Sequence, residues 1–275
     1  MDYIDYIADP ARRCAVVAHR GAWHGAPENS LAAIEQAIRI GADIIEIDVR
    51  KSADGVLFLM HDDTLLRMAG IDRDAETLTM AQLQAIALRA DDGGDGRALT
   101  DQRIPTLEQA LELVRGSIFA DLDLMDRALF PEVAACARAM QATAWVDLKT
   151  TVMTDAHVDW VKAQDIAGVP FMAMASFDRD SVEQTLALLA RLKPFMSEIR
   201  FDALDTIAAN RAAFDAAGMA LWKNTLDQAN SGSWTDTAAL TDPDSIWGRL
   251  IDAGISAIQT DQPEALKAYI DGRAA

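Results

Sequence analysis

Two histidines, an arginine and a pair of carboxylates fall in the first quarter of the chain, within His19-Arg20-Gly21, Pro27-Glu28-Asn29-Ser30, Glu46-Ile47-Asp48 and His61-Asp62, the last after a turn at Asp54-Gly55. These residue types suit one kind of chemistry. Acids one residue apart hold a divalent cation, a guanidinium holds a phosphate, and two imidazoles pass a proton across the site. Glu46 and Asp48 lie on one face of the apolar run Ile44-Ile45-Glu46-Ile47-Asp48-Val49, because strand side chains alternate. Buried there without a counter-ion they would destabilise the strand, so a single divalent cation, Mg2+ or Ca2+, is expected at that point.

His19 follows Cys14-Ala15-Val16-Val17-Ala18, and His61 follows Val56-Leu57-Phe58-Leu59-Met60, so each imidazole leaves an apolar run at its end. Either ring can act as base or acid near neutrality, and both are taken as the catalytic pair. Arg20 has the planar donor fork that suits phosphate oxygens. His24 and His157 lack such surroundings and are read as surface residues.

The elements that position these groups follow from periodicity. Apolar strand candidates are Cys14–Ala18, Ile44–Val49, Ile118–Leu124, Ala144–Leu148, Phe171–Ala175, Met196–Phe201, Met219–Trp222 and Ile255–Thr260, most followed by a helical pattern. Buried parallel strands read as continuous apolar runs, and eight of them close a (β/α)8 TIM barrel. Helix signals agree: Asn29 or Ser30 precedes an apolar face of Leu31, Ile34 and Ile38 ending near Gly41, while Thr106 with Gln109 and Thr79 with Gln82 form capping boxes.

The 275 residues are therefore read as one domain, 1–275. The stretch 51–105 far exceeds the roughly two to six residues of a βα loop and is expected to form a small inserted subdomain after the second strand. Within it, Asp91-Asp92-Gly93-Gly94-Asp95-Gly96 lacks the terminal glutamate of a calcium loop and is expected to be a flexible surface loop.

Composition narrows the partners. A formal charge of −18 repels nucleic-acid phosphates and anionic lipid headgroups, so neither nucleic acid nor membrane is expected as a partner. Cys14 and Cys136 match no metal or disulfide spacing and read as small buried apolar residues. The acidic start Met1–Pro10 reads as a tail leading into the first strand. Arg12-Arg13 precedes too short an apolar segment for an export signal, so the cytoplasm is the expected location. Homo-oligomerisation stays open.

The motifs from His19 to Gly70 resemble the glycerophosphodiester phosphodiesterase family, whose signature combines HRG, PEN[ST], ExD, a DG turn and HDxTLxR. Here they stand as His19-Arg20-Gly21, Pro27-Glu28-Asn29-Ser30, Glu46-Ile47-Asp48, Asp54-Gly55 and His61-Asp62-Asp63-Thr64-Leu65-Leu66-Arg67. Weaker similarity continues through Ile104–Glu108, Ser176-Phe177-Asp178, Trp222 and Thr260-Asp261-Gln262-Pro263. The resemblance implies a (β/α) barrel and metal-dependent hydrolysis of a small-molecule phosphodiester to glycerol 3-phosphate and an alcohol. His19 and His61 would be the acid/base pair, Arg20 the phosphate ligand, and Glu46 and Asp48 metal ligands.

The third strand departs from the family's ExK, reading Asp121-Leu122-Asp123. Asp121 is taken as the third metal ligand, and Lys149, ending the next strand, as the replacement phosphate contact, ahead of Lys223. Trp222, ranked above Trp234 in the polar stretch Asp227–Asp244, is taken as an apolar wall for substrate, and Trp247 as an anchor for the final helix. Two alternatives are carried: a phospholipase D-like or lysophospholipid-cleaving enzyme, for which the sequence shows no apolar rim, and a non-catalytic phosphate-binding barrel.

Overall fold

The computed structural model describes residues 1–228 and 232–273. The polar stretch Asp227–Asp244 therefore lies partly outside the described residues. Among the described residues there are eleven strands: β1 (Ala15–His19), β2 (Ile44–Lys51), β3 (Leu57–Leu59), β4 (Ala87–Arg89), β5 (Leu99–Arg103), β6 (Phe119–Leu124), β7 (Val146–Thr151), β8 (Phe171–Phe177), β9 (Met196–Phe201), β10 (Ala220–Asn224) and β11 (Ala257–Thr260). β1, β11, β10, β9, β8, β7, β6 and β2 pair in that order, all parallel. The β1–β2 pairing, with Val17 opposite Ile44, closes a (β/α)8 barrel. Each expected barrel strand is present.

Alternation sorts the strand residues into layers. On β2, Ile45, Ile47 and Val49 join the apolar shell shared with the helices, including Ile34, Leu107 and Leu111. Glu46 and Asp48 face the barrel interior, both buried. Burying one such aliphatic side chain stabilises by about 1.5–3 kcal/mol, enough for the shell to hold strands whose inner face is charged. The helix Leu31–Ile40 begins at Ser30, whose hydroxyl accepts from the Ala33 amide, and stops at Gly41 in the left-handed conformation. Both capping boxes form as expected.

The lower interior is apolar and is plugged from beneath. The acidic start is not a loose tail: Asp2 caps a helix, Tyr3–Ala8, and the Tyr3 ring stacks on Phe119 with centroids 4.7 Å apart. Tyr3 and Ile7 join Val17, Ile44, Met172, Met196, Trp222 and Ala257 in one buried cluster. Above this plug the inward positions turn polar.

Between β2 and β6 the chain makes an excursion with its own apolar cluster, including Phe58, Met60, Leu65, Met68, Leu83 and Ile104. β3 returns antiparallel along β2, with Val49 opposite Leu59, which carries the following His61 back to the barrel mouth. β4 and β5 pair separately as a two-stranded ribbon. No helix among the described residues is long and apolar enough to cross a membrane.

Candidate active site

His19 ends β1 beside Glu46, its register partner on β2. The next two residues turn sharply. Arg20 has φ 55 and Gly21 φ 79, and a Cβ on Gly21 would meet the Ala33 backbone and side chain at 2.9 Å, so only glycine fits against the helix. This turn sends Arg20 back across the mouth, where its Nη1 lies 3.0 Å from both oxygens of Glu28 and its Nε 3.3 Å from Asp48 Oδ2. Asn29, also at φ 55, donates to Asp48 Oδ2 at 2.7 Å and accepts from the Asp48 amide at 3.0 Å. The Pro27–Ser30 turn thereby orients one of the two acids on β2.

Each imidazole is held by a carboxylate at Nδ1. His19 Nδ1 lies 2.7 Å from Asp261 Oδ1, just past β11, and His61 Nδ1 lies 2.8 Å from Asp62 Oδ1. Carboxylates accept hydrogen bonds when ionised, so both rings carry hydrogen on Nδ1 and present Nε2 to the site. Nε2 of His19 stands 3.9 Å from Glu46 Oε2. Asp261 is held below the usual carboxylate range by His19 and Trp23, which outweigh its burial. Asp62 is likewise lowered by His61 and Arg67 against the opposing effect of burial.

Arg67 joins the two halves, donating to Asp62 Oδ2 at 2.8 Å and to Glu28 Oε1 at 2.6 Å. Arg50 fixes the His61 segment by donating to the carbonyl oxygens of Met60 and His61. His19, Arg20, His61, Arg67 and Asp261 line one cavity of about 400 Å³, together with Trp23, Glu28, Asp62, Asp92, Leu226 and Gln228. The two imidazoles and Arg20 thus share a single pocket, as the motifs led one to expect.

Among the described residues the acids that converge are Glu46, Asp48 and Asp123, with one oxygen from each lying within 4.8 Å of the others. Burial, reinforced by Asp48, pushes the Glu46 carboxyl well above its ordinary range, against the pull of Lys149. Clustered hard oxygen donors of this kind, two buried and one half-buried, fit a divalent cation such as magnesium or calcium.

The acid expected from β6 was Asp121, and here the structure differs. Asp121 is fully buried opposite Glu46, with Oδ2 2.7 Å from Lys149 Nζ, while Asp123, two residues on and opposite Asp48, is the β6 acid that converges with the pair. Lys149 is also placed differently from the expectation. It points into the barrel, 3.2 Å from Glu198 and 3.3 Å from Asp123, and neutralises the buried acids rather than lining the cavity.

Trp222 does not wall the pocket. It is fully buried in the apolar plug, and its ring face lies 5.8 Å beneath Lys149 Nζ. Its indole nitrogen donates to Asn224, which in turn donates to Glu198. Lys223 lies over the Phe201 ring, also away from the cavity. Trp234 packs on Phe201 and Arg249, and Trp247 is buried against Tyr269.

Sequence reasoning passed over Asp261, Asp62, Arg67 and Asp92. The first three stood within quoted motifs, and only the fold shows that Asp261 and Asp62 hold the imidazoles and that Arg67 bridges Asp62 and Glu28. The Asp91–Gly96 loop is not loose: Asp91 accepts from the Gly25 amide at 2.7 Å, and its carbonyl accepts from the Glu28 amide at 3.0 Å. The carbonyl of Asp92 accepts from Arg67. The expectation that no exposed apolar residue stands out on the rim loops also needs correction, because Met125 and Met153 are exposed just past the ends of β6 and β7, although neither lines the cavity.

A family described as a domain of unknown function matches residues 171–270. Mouse glycerophosphodiester phosphodiesterase 1 is 37% identical over 123 residues, which make up 44% of this chain and 37% of the mouse protein. The chain thus covers well under half of that curated relative. Among solved structures, a glycerophosphoryl diester phosphodiesterase from Parabacteroides distasonis superposes with a TM-score of 0.76 at 22% identity, covering 98% of this chain and 90% of that one. An Oleispira antarctica phosphodiesterase in complex with sn-glycerol-3-phosphate gives a TM-score of 0.65 at 23% identity, covering 94% of this chain and 97% of that one. These likenesses share the barrel, and the names carried by the relatives and neighbours are those of the family suspected from the motifs.

Proposed function

We propose that this chain hydrolyses glycerophosphodiesters to glycerol 3-phosphate and an alcohol. The observation that carries this reading is the pair of carboxylate-held imidazoles facing one cavity above a converging acid cluster. The identity with a named phosphodiesterase over the matched segment supports it, as does the likeness to a neighbour that binds sn-glycerol-3-phosphate.

In this reading His19 is the base. Its side chain is 15% exposed against 42% for His61, and it sits beside the acid cluster. His19 Nε2 takes the proton of the attacking oxygen as that oxygen bonds to phosphorus; where the oxygen is the substrate's neighbouring hydroxyl rather than water, a cyclic phosphate forms, and water then opens it to glycerol 3-phosphate with the two rings exchanging roles. His61, nearer solvent, gives its Nε2 proton to the departing alkoxide as the phosphorus–oxygen bond breaks. Aspartates at Nδ1 stabilise whichever ring carries positive charge. Arg20 and Arg67 present guanidinium nitrogens to the phosphate while held by Glu28.

Glu46, Asp48 and Asp123 would hold one divalent cation, magnesium or calcium. When bound, it supplies positive charge that polarises a phosphoryl oxygen. Release of glycerol 3-phosphate from a panel of glycerophosphodiesters, with and without chelator, tests the assignment. Release that chelation abolishes and one added cation restores is expected. No release under any metal condition would leave a phosphate-binding barrel as the better description.

A second reading rests on the exposed Met125 and Met153, just past the barrel-rim ends of β6 and β7, which suit a diester whose acyl chain extends beyond the cavity. Including a lysophospholipid in the panel decides it: preference for the acylated substrate would shift the assignment to lysophospholipid cleavage.

A further inference from the structure

We propose that Asp236 is a positioning residue for His19, acting through Asp261. The inference rests on the reading of His19 as base. Asp236 begins the helix Asp236–Thr241, on the chain that returns from β10 to β11, and is almost fully buried. Its Oδ1 accepts from the hydroxyls of Thr225 at 2.6 Å and Thr260 at 2.7 Å, and its Oδ2 accepts from the Asp261 amide at 2.8 Å. One carboxylate therefore ties together the segment after β10, the end of β11 and the backbone of the residue that holds His19 Nδ1.

The arrangement is more specific than packing requires. Thr225 is itself anchored, its amide donating to the Gln259 carbonyl at 2.8 Å. Thr260 also accepts from the Gln262 amide at 2.9 Å, so the backbone on both sides of Asp261 is pinned. On the other side Trp23 donates to Asp261 Oδ1 at 3.2 Å, sharing the oxygen that faces His19. Burial pushes the Asp236 carboxyl up to about 6, against the two threonines and the Asp261 amide, which favour its ionised form. A buried anion on three donors keeps its place, and so does the Asp261 amide it accepts from. The charged groups around His19 are Asp261, Glu46 and neighbouring Arg20.

Asp236→Asn separates this role from simple packing. The amide matches the carboxylate in size and its oxygen still accepts from the threonines, but its NH2 meets the Asp261 N–H, donor against donor. Asp261 must shift, weakening its hold on His19. The expected result is a kcat lower by about tenfold or more with KM little changed. Adding Asp236→Asn to Asp261→Asn should then cost little more, because both act on one ring.

Imidazole nitrogen NMR of His19 in the intact protein gives an arm independent of turnover. An altered tautomer or a displaced Nδ1 resonance in Asp236→Asn supports the proposal even if no diester is cleaved, which separates its failure from failure of the proposed activity. Thr225→Val, which removes one donor to Asp236, should move the same His19 signals by a smaller amount. His19 signals unchanged in both variants, or an Asp236→Asn penalty that adds fully to that of Asp261→Asn, would overturn it.

Discussion

Arg20 Nη1 lies 3.0 Å from both carboxylate oxygens of Glu28, so the guanidinium expected to grip phosphate is already half-engaged by an acid of its own loop. The same acid accepts from Arg67 at 2.6 Å and is buried. Glu28 therefore presents two guanidinium groups at one mouth.

Replacing Glu28 by Gln keeps the shape but removes the charge that gathers the pair. Steady-state kinetics on a glycerophosphodiester should show kcat/KM lower by about 10- to 100-fold, with KM raised, because Arg20 and Arg67 no longer share one anchor. An unchanged KM would mean that neither guanidinium meets the substrate phosphate.

The two aspartates of β6 should separate cleanly in metal titrations. Asp123→Asn removes an oxygen from the convergent acid cluster and is expected to weaken activation by magnesium or calcium about 10- to 100-fold. Asp121→Asn leaves that cluster whole but takes a partner from buried Lys149, so its effect should fall on the denaturation midpoint. Reversal of this pattern would restore Asp121 as the ligand.

Asp147 lies in the polar layer beneath the site, where burial pushes its carboxyl up to about 8 against the pull of Lys149 and Tyr3. An acid raised in this way binds its proton more tightly folded than unfolded. Its contribution is fully present below the ordinary carboxylate range of about 3.9 and is lost as pH rises through about 8, by at most about 1.4 kcal/mol per pH unit. Urea midpoints at pH 5 and pH 9 should accordingly fall further for the native chain than for Asp147→Asn. Equal falls would show that Asp147 is ionised throughout.

Much of this molecule was legible in its residues. The barrel strands stood out as apolar runs, and the alternation of Glu46 and Asp48 with isoleucines placed both acids inside before any coordinates. Contacts between distant segments were not legible. Asp261 is 242 residues from His19, and no local pattern states that the barrel brings their side chains together. The fate of each β6 acid was equally hidden: Asp121 and Asp123 share a face, opposite Glu46 and Asp48 in turn, and only the fold shows that Lys149 takes the first while the second joins the acid pair. Lys149 and Trp222 were misplaced for the same reason, since inward-facing residues below the rim line the barrel rather than the pocket. The Asp91–Gly96 loop read as loose because its partners, Gly25, Glu28 and Arg67, lie far away in sequence.

The division of labour between His19 and His61 meets its most direct test in a change of leaving group. Glycerol phosphodiesters carrying either an alkyl alcohol or nitrophenol should be compared in His19→Ala and His61→Ala. The expected result is that His61→Ala loses about 10²- to 10⁴-fold on the alkyl diester yet stays near native on the nitrophenyl one, which departs without a proton, while His19→Ala fails on both. Equal losses on the two substrates in His61→Ala, or full activity in His19→Ala, would contradict the two-imidazole account.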